Sequence, residues 1–130
     1  MAAIAILDDY QGVALKMADW SGLQRTHTTR VFRQPFANED AVAAALANFE
    51  IVAAMRERTP FPAALFARLP KLKLLVTTGL RNASIDVAAA TRHGVVVCST
   101  PGGSHATAEL AFGLMLSIAR NIAYESQGMR

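Results

Sequence analysis

The chain has 130 residues, enough for one domain with its own core. With 52% hydrophobic and 18% charged residues it is not a disordered segment; its net charge of +3 comes from scattered basic residues with few aromatics, which argues against nucleic acid and suits small anions. A single cysteine, Cys98, excludes an internal disulfide and, inside an apolar run, reads as a buried structural thiol in a reducing compartment.

In chain order, MAAIAILDD lacks the basic leader, apolar stretch and cleavage site of a secretion signal. It predicts a first strand at residues 3–7 and a cytoplasmic protein. A helix is expected within residues 10–23, and the alternating stretch 28–32 predicts a second strand. Asn38 is placed to N-cap a helix with Glu39 and Asp40 in its first turn and an Ala/Leu-rich body to Asn48. A third strand follows at 51–55. Pro62 suits the first position of a helix that Pro70 ends. Residues 72–77 predict a fourth strand. Ser84 is the expected cap of a helix over 85–92, with Asp86 a first-turn acid and Gly94 at the left-handed exit. Residues 94–98 predict the fifth strand, and residues 104–125 one long helix.

That last helix is apolar on nearly every side between Leu110 and Ala123. A helix lying on one face of a sheet shows a single apolar stripe, so this one demands cover all round. It is too short and too interrupted, by Ser117, Arg120 and Asn121, to span a bilayer, so no membrane partner is expected. A second copy of the chain, or a further domain, is expected to cover residues 104–125. The chain also stops at QGMR in helical register without a stop signal, and so reads as one domain of a larger design.

Short β-branched runs alternating with helices predict an α/β fold: a doubly wound, five-stranded parallel sheet buried on both faces. Ligands of such folds gather at the C-terminal strand ends. Those ends are 8–9, 33–34, 55–58, 77–81 and 99–103. A phospho-receiver domain is excluded because Met55-Arg56 and Ser99-Thr100-Pro101 stand where its acceptor Asp and its Lys are needed. A flavin-phosphate loop is excluded after the first strand, where Asp8-Asp9 repels anions. No G-x-G-x-x-G dinucleotide fingerprint follows any strand. His27, His93 and His105 are too far apart in sequence to suggest a metal site, and His105 is the best placed to meet a ligand.

The segment from Leu72 to Ile122 resembles the N-terminal half of D-isomer-specific 2-hydroxyacid dehydrogenases. Gly79, Asp86, Ala88-Ala89, Gly94, Val97, Pro101 and Ala108-Glu109 match the family's landmarks in order and without gaps, and Arg56-Glu57-Arg58-Thr59 is similar to its Arg-Ser-x-Thr loop. The resemblance implies a flavodoxin-like substrate domain over 1–103 and, over 104–130, a helix crossing toward a Rossmann domain. It implies that the parent enzyme transfers hydride between NAD or NADP and a small 2-oxo or 2-hydroxy acid. The family's catalytic Arg, Glu and His have no counterpart here, so no catalytic residue is assigned. This chain alone is expected to be inactive and to bind no cofactor.

By the same resemblance, Arg56, Glu57, Gly79, Leu80 and Arg81 grip the substrate carboxylate, largely through backbone N–H groups, and Thr107 is the one cofactor contact. Arg81 replaces the family's second glycine, and Ala83-Ser84 its Asp-Asn. Arg56 and Arg58 also read as a solvated loop. The alternative is a stand-alone anion-binding or self-associating module without catalysis.

Overall fold

A computed structural model describes residues 1–102 and 105–128. Five parallel strands form one sheet: β1 (Ala3–Ile6), β2 (Thr28–Val31), β3 (Ile51–Ala54), β4 (Leu74–Thr77) and β5 (Val96–Ser99). Their order is β2-β1-β3-β4-β5, the flavodoxin-like order, with the chain reversing direction across the sheet beside β1. The helices are α1 (Ser21–Gln24), α2 (Glu39–Leu46), α3 (Ala63–Phe66), α4 (Val87–Arg92), α5 (His105–Ala119) and α6 (Ile122–Gly128). All five expected strands form, each four residues long.

Side chains of a strand alternate between faces, so register divides the sheet's residues into two sets. Ala5, Val52 and Leu75 lie in one row and are fully buried, against Val42, Ala43 and Leu46 of α2, Leu65 and Phe66 of α3, and Ala89 and Ala90 of α4. The next row carries Ile4, Ile51, Leu74 and Val96, and there burial fades across the sheet. Ile4 is 4% exposed and Val96 59%. The expectation of strands buried on both faces therefore holds at β1 and fails at the β5 edge. Cys98, on the same face as Val96, is exposed rather than a buried thiol.

Local chemistry explains the helix ends. The Asn38 side chain accepts the Ala41 N–H at 2.9 Å, as its position predicts. Before α4 the cap is Asp86, whose carboxylate accepts the Ala89 N–H at 2.8 Å, so the helix starts two residues later than the sequence suggests. Ser84 is drawn away, donating its N–H and O–H to the Asn82 side-chain oxygen. Pro62 precedes α3 in extended conformation instead of opening it. Gly94 is left-handed, φ +72°, as expected of a helix exit.

Residues 10–23 form no single helix. Asp9 accepts the N–H groups of Val13 and Ala14, which holds a 3-10 turn over Ala14–Lys16, and α1 follows separately. The long helix is likewise broken: Asn121 takes a left-handed φ of +50° between α5 and α6, a conformation its short polar side chain tolerates. Its all-round apolar surface stands uncovered. Phe112 is 66% exposed and Ile118 78%, with Leu110, Leu114, Met115 and Leu116 all more than half exposed. No helix among the described residues is long and apolar enough to cross a membrane.

Candidate functional site

The loops after β3, β4 and β5 meet at one edge of the sheet and are tied together by side chains from their own turns. Thr78 Oγ1 accepts the Arg56 N–H at 3.1 Å. Thr100 Oγ1 accepts the Gly79 N–H at 3.1 Å. Asn82 donates its amide hydrogens to the Arg56 carbonyl at 2.6 Å and to Thr77 Oγ1 at 2.9 Å. Farther out, Phe61 donates its N–H to the Ser84 carbonyl, and its own carbonyl accepts the Asp86 N–H. Five hydrogen bonds between loops thus hold together what the chain order separates.

Two backbones in this cluster are left-handed: Gly79 at φ +94° and Arg56 at φ +48°. Glycine takes such a conformation freely, whereas a non-glycine residue is held there by its surroundings. The turn at Gly79 brings its Cα beside the Arg56 side chain; a methyl group added there would lie 3.6 Å from Arg56 Nη1. One added to Gly102 would lie 3.9 Å from Arg56 Nη2. The Arg56 guanidinium therefore sits between the β4 and β5 loops.

Four of the five residues expected to grip a carboxylate, Arg56, Gly79, Leu80 and Arg81, lie in or against this cluster, with Glu57 next in the β3 loop and exposed. The N–H groups of Arg56 and Gly79 are engaged by threonine hydroxyls. Those of Glu57, Leu80 and Arg81 make no hydrogen bond among the described residues. Adjacent free amides after a left-handed residue form a concavity suited to an anion. Leu80 and Arg81 also line an open groove of about 480 Å³ with Thr77, Asn82, Ile85 and Val97. Thr107 is exposed on the first turn of α5.

Of the residues that organise the site, sequence reasoning placed Thr78 and Thr100 at strand ends without giving them a role, and passed over Asn82. Their only signal is hydroxyl and amide side chains just past strand ends. A second cluster flanks the site: Thr59 donates to the Asp8 carboxylate at 2.8 Å, and the Arg58 guanidinium lies 4.3 Å from the centre of the Tyr10 ring. Among the described residues no group of three or more His, Cys, Asp or Glu is placed to hold a metal ion.

Comparison with known proteins follows the same outline. The family described as D-isomer specific 2-hydroxyacid dehydrogenase, catalytic domain, matches residues 4–128. Glyoxylate reductase of Thermococcus litoralis is 42% identical over 59 residues, 45% of this chain and 18% of that protein. D-3-phosphoglycerate dehydrogenase of Mycobacterium leprae is 36% identical over 77 residues, 58% of this chain and 15% of that protein. Among solved structures, a phosphoglycerate oxidoreductase from Vibrio cholerae O395 superposes with a TM-score of 0.79 at 38% identity, over 90% of this chain and 37% of that one. The chain thus spans well under half the length of these relatives.

Proposed function

The chain belongs to the D-isomer-specific 2-hydroxyacid dehydrogenase family, and from that premise we propose that it is the substrate-binding domain of an NAD(P)-dependent enzyme interconverting a 2-oxo and a D-2-hydroxy acid. The observation that carries this reading is the cluster in which the β3, β4 and β5 loops converge. It offers the free N–H groups of Leu80 and Arg81 in the turn that the Arg56 guanidinium adjoins, the donor set a carboxylate needs. In this reading Arg56 and Arg81 supply charge, Gly79 supplies the turn, and Asn82, Thr78 and Thr100 are positioning residues.

The residues present do not fit a dinucleotide. Thr107 is exposed on α5, and no G-x-G-x-x-G phosphate turn follows a strand in the sequence. In this proposal the nucleotide belongs to another part of the parent enzyme. A cytoplasmic location is part of the same proposal, supported by the lone, unpaired Cys98.

The test is a titration of the isotope-labelled chain with glyoxylate, followed by amide NMR, beside an assay of NADH oxidation. Saturable shifts at Glu57, Leu80 and Arg81 with no NADH consumption are expected. Absence of shifts in the three loops would overturn the substrate reading, and NADH consumption by the 130 residues alone would overturn the separate nucleotide part.

The uncovered apolar surface of α5 favours a second, compatible reading, self-association through that helix. Sedimentation equilibrium is expected to show a dimer that Phe112→Ser with Ile118→Ser dissociates. A wild-type monomer at every concentration would remove this reading.

A further inference from the structure

We propose that the paired hollows at the ends of β1, β2 and β3 form a second site, for an apolar α-amino acid bound as its zwitterion. The first hollow, of about 240 Å³, is lined by Asp8, Tyr10, Arg33, Pro35 and Arg58. None of these belongs to the cluster assigned to the substrate carboxylate. Both basic residues stand against the turn that follows β1. The Arg58 guanidinium lies 4.3 Å from the centre of the Tyr10 ring, and a methyl group added to Gly12 would lie 3.3 Å from Arg33 Cζ. Neither guanidinium is in an ion pair among the described residues, although Glu57 adjoins Arg58 in the chain. Asp9, next to the hollow, is engaged by the N–H groups of Val13 and Ala14.

Asp8 decides the kind of ligand. It is 5% exposed, and one of its carboxylate oxygens accepts the Thr59 hydroxyl hydrogen. Its other oxygen accepts no hydrogen bond among the described residues. Nor is that oxygen sealed off, since the one buried side-chain polar atom without a partner, among the described residues, is Thr29 Oγ1. It therefore stays open to solvent, at the hollow that Asp8 lines. A simple anion would meet this open carboxylate oxygen, and a simple cation would meet two unpaired guanidiniums. A ligand with an ammonium and a carboxylate on one carbon complements both. The second hollow sets the side chain. It holds about 280 Å³, shares Pro35 and Arg58 with the first, and adds the apolar groups of Phe36, Val42, Pro60 and Pro62. Its acid, Glu39, is paired with Arg68 at 3.5 Å. Together the two hollows have the size and the mixed lining of a small-molecule site.

The experiment is an amide NMR titration of the isotope-labelled chain at neutral pH with phenylalanine, 3-phenylpropionate, 2-phenylethylamine and glycine. Phenylalanine is expected to give saturable shifts at Tyr10, Arg33, Phe36 and Arg58. The other three each lack one group and are expected to bind about tenfold more weakly. Two variants read the charges separately. Arg33→Gln alters an exposed side chain; it is expected to weaken phenylalanine about tenfold and to strengthen 2-phenylethylamine. Asp8→Asn keeps an acceptor for Thr59 and suits the left-handed backbone; it is expected to weaken phenylalanine about tenfold and to strengthen 3-phenylpropionate. Equal weakening of both acids by Asp8→Asn would mark Asp8 as structural only and overturn the inference. So would binding as tight by any of the three analogues, phenylalanine shifts confined to Leu80 and Arg81, or no saturable shift. Should Asp8→Asn fail to fold, Arg33→Gln with 2-phenylethylamine decides alone.

Discussion

Thr59 donates its hydroxyl hydrogen to an Asp8 carboxylate oxygen across 2.8 Å, joining buried residues 51 positions apart in the chain. Asp8 ends the β1 run in a left-handed conformation, φ +57°, and Thr59 closes the loop that carries Arg56 and Arg58. This bond ties the far end of the β3 loop to the end of β1. Thr59→Val keeps the shape and removes the donor, leaving a buried carboxylate oxygen short of a partner, at a cost of about 1–3 kcal/mol. Urea denaturation is expected to show that loss, and Thr59→Ser to restore most of it.

Two glycines separate conformation from packing. At Gly79 a methyl group meets nothing closer than 3.6 Å, so Gly79→Ala is penalised through its φ of +94° alone, by about 1–2 kcal/mol. Gly113, inside α5 with nothing within 4 Å, has the opposite expectation. Gly113→Ala is expected to raise helix stability by up to about 1 kcal/mol. Thermal melts followed by circular dichroism check both signs.

Asn82 gives the site its cohesion, donating to Arg56 and Thr77 while its oxygen accepts from Ser84. Asn82→Ala is expected to cost about 1–3 kcal/mol and to speed hydrogen exchange at Gly79, Leu80 and Arg81. Asn82→Asp keeps the acceptor but loses both donors, so it is expected to loosen the β3 and β4 loops nearly as much. Unchanged exchange in both variants would show that the loops hold without it.

Lys73 donates a hydrogen bond to Glu50 at 2.7 Å, and that bond, reinforced by the lysine charge, holds the Glu50 carboxyl below its ordinary value. A carboxyl depressed in the folded state contributes stability that is present above its unfolded pKa and is lost as pH falls through the folded one. The stability gap between wild type and Lys73→Met is therefore expected at neutral pH and is expected to close in the acid range below the usual glutamate titration. Denaturation midpoints measured from pH 7 to pH 3 test this, and a gap that persists at pH 3 would rule the linkage out.

The fold class was legible because five β-branched runs and their breakers carry it locally: each strand's period, Asn38's cap and Gly94's exit need only near neighbours. The same locality misled wherever two polar residues competed. Asp86 and Ser84 are both acceptable caps, and only the position of Asn82, which binds Ser84, left the role to Asp86. Cys98 reads as buried from its apolar neighbours, yet β5 is an edge strand whose second face lies open.

The amino-acid sequence by itself thus determined the strands, the family and the loops at the C-terminal end of the sheet, because periodicity and turn chemistry act over a few residues. Only the tertiary structure decided which donors are free. Thr78 and Thr100 cap the amides of Arg56 and Gly79, while those of Leu80 and Arg81 stay open, because hydrogen bonds between loops 21 and 22 residues apart exist only once β3, β4 and β5 lie side by side.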